Sequence, residues 1–180
     1  YKDAGFELEK DLVPVAMTGS TPGLFTVIAT HPAGNLRELM ALAKSSGKPI
    51  AYATPGLGTS SHLAAEYLFG MLAGIPSNHI PFKGGAPATT AVLGGQVELL
   101  SASLGGALPF IKQGKMKALA VSSLTRLEDM PNVPTVAESG YPEYEASNWH
   151  GIAVPAKTPK EIVAALHTAT VAAVKKPEIA

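Results

Sequence analysis

Short apolar runs and helix-spaced apolar positions alternate along the chain from residue 24 onward. The β-branched and aromatic run at residues 24–29 predicts a strand that stops at Pro32, because the residue before a proline avoids the α region. A helix is then predicted between Asn35, a capping residue with Glu38 three positions on, and Gly47 beyond the end. The first unit is therefore strand, turn and helix.

The same unit recurs in kind along the rest of the chain. Further strands are predicted over residues 49–54, 79–82, 97–100, 116–121 and 147–154. Helices are predicted between residues 61 and 74 and over residues 86–93, 108–114, 135–139 and 158–174, the last with Thr158 as cap and Pro159 at its first position. Near-continuous apolar strands that alternate with helices predict an α/β fold, with a parallel sheet covered by helices on both faces.

Ligands of such sheets bind at the carboxyl ends of the strands, which directs attention to the loops that follow them. The loop at residues 55–61 carries glycines, including Gly58, and the hydroxyls of Thr59, Ser60 and Ser61 at the start of a helix. Unpaired amides and the helix dipole favour an anion there, so the loop predicts a carboxylate or phosphate site. The alternative is that Thr59 or Ser60 only caps the helix and the glycines only make the turn.

Two further loops are candidates for the same site. Lys83, Gly84 and Gly85 would bring a cation and free amides to the next strand end, although a surface lysine beside a turn explains the pattern equally well. A small-residue loop is predicted at residues 101–106, whose serines could supply hydroxyls or could simply allow close packing.

Composition excludes several classes of function. The 180 residues hold 14 basic and 14 acidic side chains, a net charge of zero, whereas nucleic-acid binding and membrane-surface helices usually need a basic surplus. Charged residues make up 16% of the chain against a typical ~25%, which indicates a globular, core-forming protein. No apolar stretch approaches the ~18 residues of a membrane span.

Catalytic and metal-binding patterns are absent from the sequence. Without cysteine there is no thiolate zinc site and no cysteine nucleophile, and the five histidines form no i, i+4 pair, so neither metal nor cofactor is predicted. His62 fits packing or hydrogen bonding in a first helical turn better than catalysis. Trp149 could line a ligand or belong to the core.

Five ordered segments together resemble one known family. They are residues 59–66 (TSSHLAAE), 79–88 (HIPFKGGAPA), 94–98 (GGQVE), 108–121 (LPFIKQGKMKALAV) and 133–140 (VPTVAESG). The set resembles the Bug family, the TctC-like solute-binding proteins of tripartite tricarboxylate transporters, over nearly the whole chain.

The resemblance implies a periplasmic-binding-protein-like fold of type II, in which two α/β lobes close around a small carboxylate. It implies a periplasmic receptor that delivers its ligand to membrane permease subunits and performs no chemistry. The implied ligand-binding residues are Gly58, Thr59, Ser60, Ser61, Lys83, Gly84, Gly85, Ala102 and Ser103. Ala102 occupies a position where many members carry an acidic or amide residue that helps to bind an amino group or water, so a plain di- or tricarboxylate is favoured over an amino acid.

The resemblance also indicates which part of a family member the chain corresponds to. The chain starts at Tyr1 without an initiating Met, after the point where family members have a signal peptide and a first Gly- and Pro-rich loop. It is interpreted as a fragment, with residues 1–28 part of the first lobe and hinge, 29–147 the second lobe, and 148–180 a hinge strand and returning helix. Two other classes stay open from the residues alone: a small α/β enzyme or phosphate-handling domain using the same loops, and an interaction module without a ligand.

Overall fold

The computed structural model describes residues 5–176 and divides into two compact units. The larger unit is Thr21–Asn148; the smaller comprises Tyr1–Ser20 and Trp149–Ala180, within which residues 1–4 and 177–180 lie outside the description. The start at Tyr1, on which the interpretation as a fragment partly rests, is among the residues not described.

Strands and helices alternate as the apolar pattern predicts. The strands are β1 (Leu12–Ile28), β2 (Ile50–Thr54), β3 (Ser77–Pro81), β4 (Leu99–Ser103), β5 (Met116–Val121) and β6 (Ser147–Pro155). The helices are α1 (Leu8–Asp11), α2 (Leu36–Ser46), α3 (Ser60–Glu66), α4 (Gly85–Leu93), α5 (Leu104–Lys112) and α6 (Lys160–Val174), and α3 runs directly into a π-helical segment, Tyr67–Leu72.

The sheet is mixed, which corrects the expectation of a parallel one. Its order is β3-β2-β4-β1-β5, with β6 paired to β1; β2 is parallel to β3 and β4, whereas β1 is antiparallel to both β4 and β5. A continuous apolar run reports that a strand is buried on both faces and carries no information about its direction. The α/β class and the helices on both faces are confirmed.

Two apolar clusters fill the two faces of the sheet in the larger unit. Along β1, Phe25 and Val27 pack into one cluster while Leu24 packs into the other, as the alternation of a strand requires. The first cluster includes Leu36 and Leu39 of α2 with Leu68 and Phe69 of the π-helical segment, and the second includes Ala88 and Val92 of α4 with Ala107 of α5. The helices therefore cover the sheet from both sides.

The boundaries of α2 agree with its predicted caps. The N–H of Glu38 donates to Asn35 Oδ1 at 3.0 Å, and Asn35 Nδ2 donates to Glu38 Oε1 at 2.8 Å. Gly47 ends the helix at φ 64°, a left-handed conformation that glycine adopts without strain. Local chemistry alone thus determines where this helix begins and ends.

Two segments have a different secondary structure from the one predicted. Residues 101–106 form no loop, because β4 continues through Ser103, paired with Gly23 of β1, and α5 begins at Leu104. Thr135 forms an isolated β-bridge with Val121, and residues 136–139 form turns and not a helix. The reciprocal capping bonds between Thr135 and Glu138 are present, but Gly140, at φ 116°, ends the segment after one turn.

The smaller unit exposes much of its apolar surface. Trp149 is 70% exposed and Met17 65% exposed, and both line a groove of about 730 Å³, so Trp149 is not a core residue. In α6 no residue is buried, and the helix begins at Lys160 without a side-chain cap, one position later than predicted. His167 Nδ1 lies 2.7 Å from the carbonyl oxygen of Val15.

Replacing Asn35 with alanine should lower the free energy of unfolding by about 1 kcal/mol, because the Glu38 amide loses its capping acceptor. Chemical denaturation would measure the change. Asn78→Ala, at an exposed position in β3, is the matched control and should change stability by less than about 0.5 kcal/mol. Equal losses in the two variants would contradict the capping role.

Candidate functional site

The carboxyl ends of β4 and β5 lie beside Gly23 and Leu24 of β1, because β1 runs antiparallel to both strands. β2 is parallel to β4 and ends at the same edge of the sheet. A small cleft of about 10 Å³, room for about one water molecule, lies at this edge and is called here the strand-end cleft. It is lined by Gly23, Leu24, Phe25, Ser60, Ser61, Ala64, Ser101, Ser122, Ala146, Ser147 and Asn148. Serine hydroxyls dominate its polar lining.

Thr59 caps α3 as the conservative interpretation of the first loop predicts. The N–H of His62 lies 3.4 Å from Thr59 Oγ1, and that hydroxyl donates to the carbonyl oxygen of Gly56 at 2.9 Å. Gly58 has φ 75°, and its N–H donates to His62 Nδ1 at 3.1 Å. Thr59 and Gly58 therefore shape the loop and do not line the strand-end cleft.

Ser60 and Ser61 are the two residues of this loop that do line the cleft. The exposed Ser60 donates its hydroxyl proton to Asn148 Oδ1. Ser61 is buried, and its carbonyl oxygen accepts a 2.9 Å hydrogen bond from Ser101 Oγ. The side chain of β4 that faces the cleft is thus Ser101.

The other predicted site residues lie around the cleft without lining it. Ala102 is paired with Leu24 and packs in the second apolar cluster, because its side chain points to the face opposite that of Ser101. Ser103 precedes α5 and makes no side-chain capping bond. The N–H of Gly84, at φ 113°, donates to the carbonyl oxygen of Pro55 at 2.8 Å, which places this second loop beside the first.

The Lys83 side chain is exposed and is not among the lining residues of the cleft, nor is Gly85, which begins α4. Their role in binding stays a prediction.

Ser122, which the sequence analysis did not single out, joins two separate segments at the cleft. Gly23 N–H donates to Ser122 Oγ at 2.7 Å, and the same hydroxyl donates to the carbonyl oxygen of Ala146. The backbone reinforces both links through Ser122 N–H to Gly23 O and Ala146 N–H to Ser122 O, each 3.0 Å. The signal that could have found Ser122 is its place directly after β5, at a strand carboxyl end.

A stack of aromatic rings lies behind the first loop. The rings of His62 and His79 are 3.9 Å apart between centroids and inclined by 17°, and His79 stacks in turn on Tyr52 at 5.1 Å. His79 Nε2 lies 2.7 Å from Thr54 Oγ1, and Tyr52 donates its hydroxyl proton to Glu66 Oε1. Burial lowers the pKa of His79, and the adjacent His62 lowers it further, while Glu66 acts in the opposite direction.

Burial and the hydrogen bond to Glu66 also raise the pKa of Tyr52. His79 and Tyr52 are therefore both neutral near pH 7.

Within residues 5–176, no three His, Asp or Glu side chains are grouped as a metal ion would require. Over the same part of the chain, no helix is long and apolar enough to cross a membrane.

A polar cleft at the strand ends of an α/β sheet is a common place for a small ligand to bind, which is compatible with a solute-binding protein. All of residues 1–180 match the family described as tripartite tricarboxylate transporter family receptor, and the chain belongs to this family. This result confirms the resemblance drawn from the five sequence segments. The family consists of receptors, which agrees with the expectation that the chain is not an enzyme.

Individual relatives agree with this assignment. Protein BugT of Bordetella pertussis is 38% identical over 165 residues, which cover 90% of this chain and 49% of BugT. The structure of the periplasmic binding protein BugD aligns with a TM-score of 0.91 and 34% identity, covering 99% of this chain and 60% of BugD. The structure of R. palustris Rpa4515 with adipate aligns with a TM-score of 0.91 and 29% identity, with the same coverage.

The chain therefore spans about half the length of BugT and about 60% of each of these two solved chains.

Replacing Ser122 with alanine should lower the free energy of unfolding by about 1–3 kcal/mol, because the Gly23 amide at the cleft loses its acceptor. Urea denaturation would measure the loss. Ser123→Ala removes only a local bond to the carbonyl oxygen of Thr125 and serves as the neighbouring control. A loss in Ser122→Ala no larger than in the control would show that the hydroxyl does not join the two segments.

Acidification from pH 7.5 to 5.5 should lower the free energy of unfolding, and His79→Gln should reduce this pH dependence. The unfolded chain takes up the proton with a histidine pKa of about 6.5, before folded His79 does. The stability that depends on neutral His79 is therefore complete above that pH and is lost as the pH falls toward the lower folded pKa. Denaturation at three pH values would test this, and an identical pH dependence in the variant would refute it.

Proposed function

We propose that the protein is a periplasmic solute-binding receptor that captures a small di- or tricarboxylate and delivers it to the permease subunits of a tripartite tricarboxylate transporter. The observation that carries this proposal is the convergence of Ser60, Ser61 and Ser101 at the strand ends of a chain that belongs to the receptor family. The adipate-bound relative supports a dicarboxylate as the class of ligand.

Neutral donors suit the binding of a carboxylate at this cleft. The first amides of a helix have no partners within the helix. In α3, Thr59 Oγ1 accepts the hydrogen bond from the His62 amide. The amides of Ser60 and Ser61 and the Ser61 hydroxyl would then face a ligand oxygen, with the N-terminal end of the helix favouring negative charge. The Ser60 hydroxyl would join them by turning from Asn148 Oδ1 to the ligand. An anion held in this way needs no formal cation, which agrees with the net charge of zero.

The same lining favours an organic acid over an amino acid. An ammonium group needs an acceptor such as a carboxylate, and the residues that line the strand-end cleft include neither Asp nor Glu. Ala102, at the position from which the family resemblance would bring an acidic or amide side chain, packs in the apolar core. Asn148 Oδ1 is the one side-chain amide oxygen at the cleft, and it accepts the Ser60 hydroxyl.

The implied location and domain organisation belong to the same proposal. A periplasmic location is supported by BugD, which is described as a periplasmic binding protein. We assign residues 29–147 to the second lobe of the receptor and residues 1–28 and 148–180 to the first lobe and hinge; the compact unit Thr21–Asn148 supports the assignment of the second lobe. Lys83, Gly84 and Gly85 remain proposed contacts at the edge of the cleft.

Isothermal titration of the full-length protein with adipate, malate, succinate and citrate should detect binding of at least one of them, and Ser60→Ala and Ser61→Ala should each weaken it about tenfold. A hydrogen bond to a charged acceptor contributes ~1.5–3 kcal/mol, and ~1.4 kcal/mol corresponds to a factor of ten. Ser45→Ala, at an exposed position near the end of α2, should bind like wild type.

The same panel can be screened by thermal shift, since a ligand at a hundred times its Kd stabilises the folded state by about 2.7 kcal/mol. A wild-type protein that neither releases heat with these acids nor melts at a higher temperature in their presence would refute the proposed function for this ligand class.

A further inference from the structure

The imidazole of His62 is the only side chain described that accepts a hydrogen bond from the backbone of the Gly58–Ser61 segment. Gly58 N–H donates to His62 Nδ1 at 3.1 Å, across four residues of the chain. A donating amide requires Nδ1 to be unprotonated, so a neutral His62 carries its proton on Nε2. The bond joins the loop to the first turn of α3, and its two residues flank Ser60 and Ser61 in the sequence.

The ring of His62 is itself held in place by a stack that begins in the apolar core. Tyr52, fully buried, contacts the ring of His79, which contacts the ring of His62 at 3.9 Å. The Thr54 hydroxyl lies 2.7 Å from His79 Nε2. Each ring is therefore fixed by the one behind it, and the last in the row presents Nδ1 to the loop.

The conformation of Gly58 explains why the loop needs such an anchor. Its φ of 75° lies in the left-handed region, which glycine enters readily but does not prefer over the alternatives. The residue has no side chain to limit those alternatives, so its conformation depends on what its amide contacts. The bond to His62 Nδ1 holds the Gly58 amide in the observed orientation, two residues before Ser60 at the start of α3.

We infer that His62 is a positioning residue of the carboxylate site: through Gly58 it orients the amides and hydroxyls of Ser60 and Ser61 without contacting the ligand. The inference rests on the proposed function. It assigns a role to a side chain that lies outside the strand-end cleft, and it makes the His79 stack part of the binding apparatus.

Two variants separate the acceptor of His62 from its aromatic ring. His62→Phe keeps a ring against His79 and removes the acceptor, whereas His62→Asn removes the ring and keeps an amide oxygen near the place of Nδ1. Leu63→Ala changes the next residue of α3, whose side chain is 59% exposed, and is the matched control.

Nitrogen-15 NMR of the ligand-free full-length protein tests the geometry. His62 should show the Nε2–H tautomer, and the Gly58 amide should be protected from hydrogen exchange in wild type, His62→Asn and Leu63→Ala but about tenfold less so in His62→Phe. The opposite tautomer of His62, or a Gly58 amide that exchanges equally fast in all four proteins, would overturn the inference. Neither measurement needs a ligand, and the tautomer is measured on wild type alone.

Titration with whichever of adipate, malate, succinate and citrate binds to wild type tests the consequence. His62→Phe should bind about tenfold more weakly than wild type, while His62→Asn should recover to within about threefold and Leu63→Ala should equal wild type. Equal binding by wild type and His62→Phe would overturn the role of His62 and leave the proposed function intact. If wild type binds none of the four acids, the proposed function fails for this ligand class, and the inference fails with it because no carboxylate site is left to position.

Discussion

The direction of β1 is the constraint on which the rest of the larger unit depends. Because this strand enters the sheet antiparallel between β4 and β5, its Gly23 end meets the carboxyl ends of its neighbours and not their amino ends. Ser122 can then bind Gly23 and Ala146 with one hydroxyl. The strand-end cleft thus gathers segments that lie far apart in the chain at one edge of the sheet.

The polar side chains at this edge of the sheet are neutral groups, and several of them are held by hydrogen bonds. The serines are held by partners of their own: Ser61 through the hydroxyl of Ser101 and Ser60 through Asn148. Hydrogen-bond donors oriented in advance bind an anion with a small loss of entropy, so the carboxylate binding that we propose is compatible with a net charge of zero. The stacked rings of Tyr52, His79 and His62 connect the apolar core to the first loop.

The local caps of α2 and α3 were predicted correctly and that of α6 was not, whereas features that depend on distant contacts were missed. The caps of α2 at Asn35 and Gly47 and the capping role of Thr59 depend on residues within one or two turns, so their pattern was sufficient. The sequence pattern was not sufficient to choose between Ala102 and Ser101, because adjacent residues of a strand face opposite sides of the sheet. Only the pairing with β1 shows which side faces the cleft. Ser122 and the His79 stack were missed for the same reason.

By itself, the sequence determined the α/β class, most helix and strand positions, the first loop as a candidate anion site and the family resemblance. All of these follow from periodicity, capping chemistry and ordered motifs, which act over short distances along the chain. Only the tertiary structure decided the direction of β1, the exposure of Trp149 and which hydroxyls meet at the cleft. These depend on pairing between strands that are remote in sequence, and an apolar run is compatible with either direction and either neighbour.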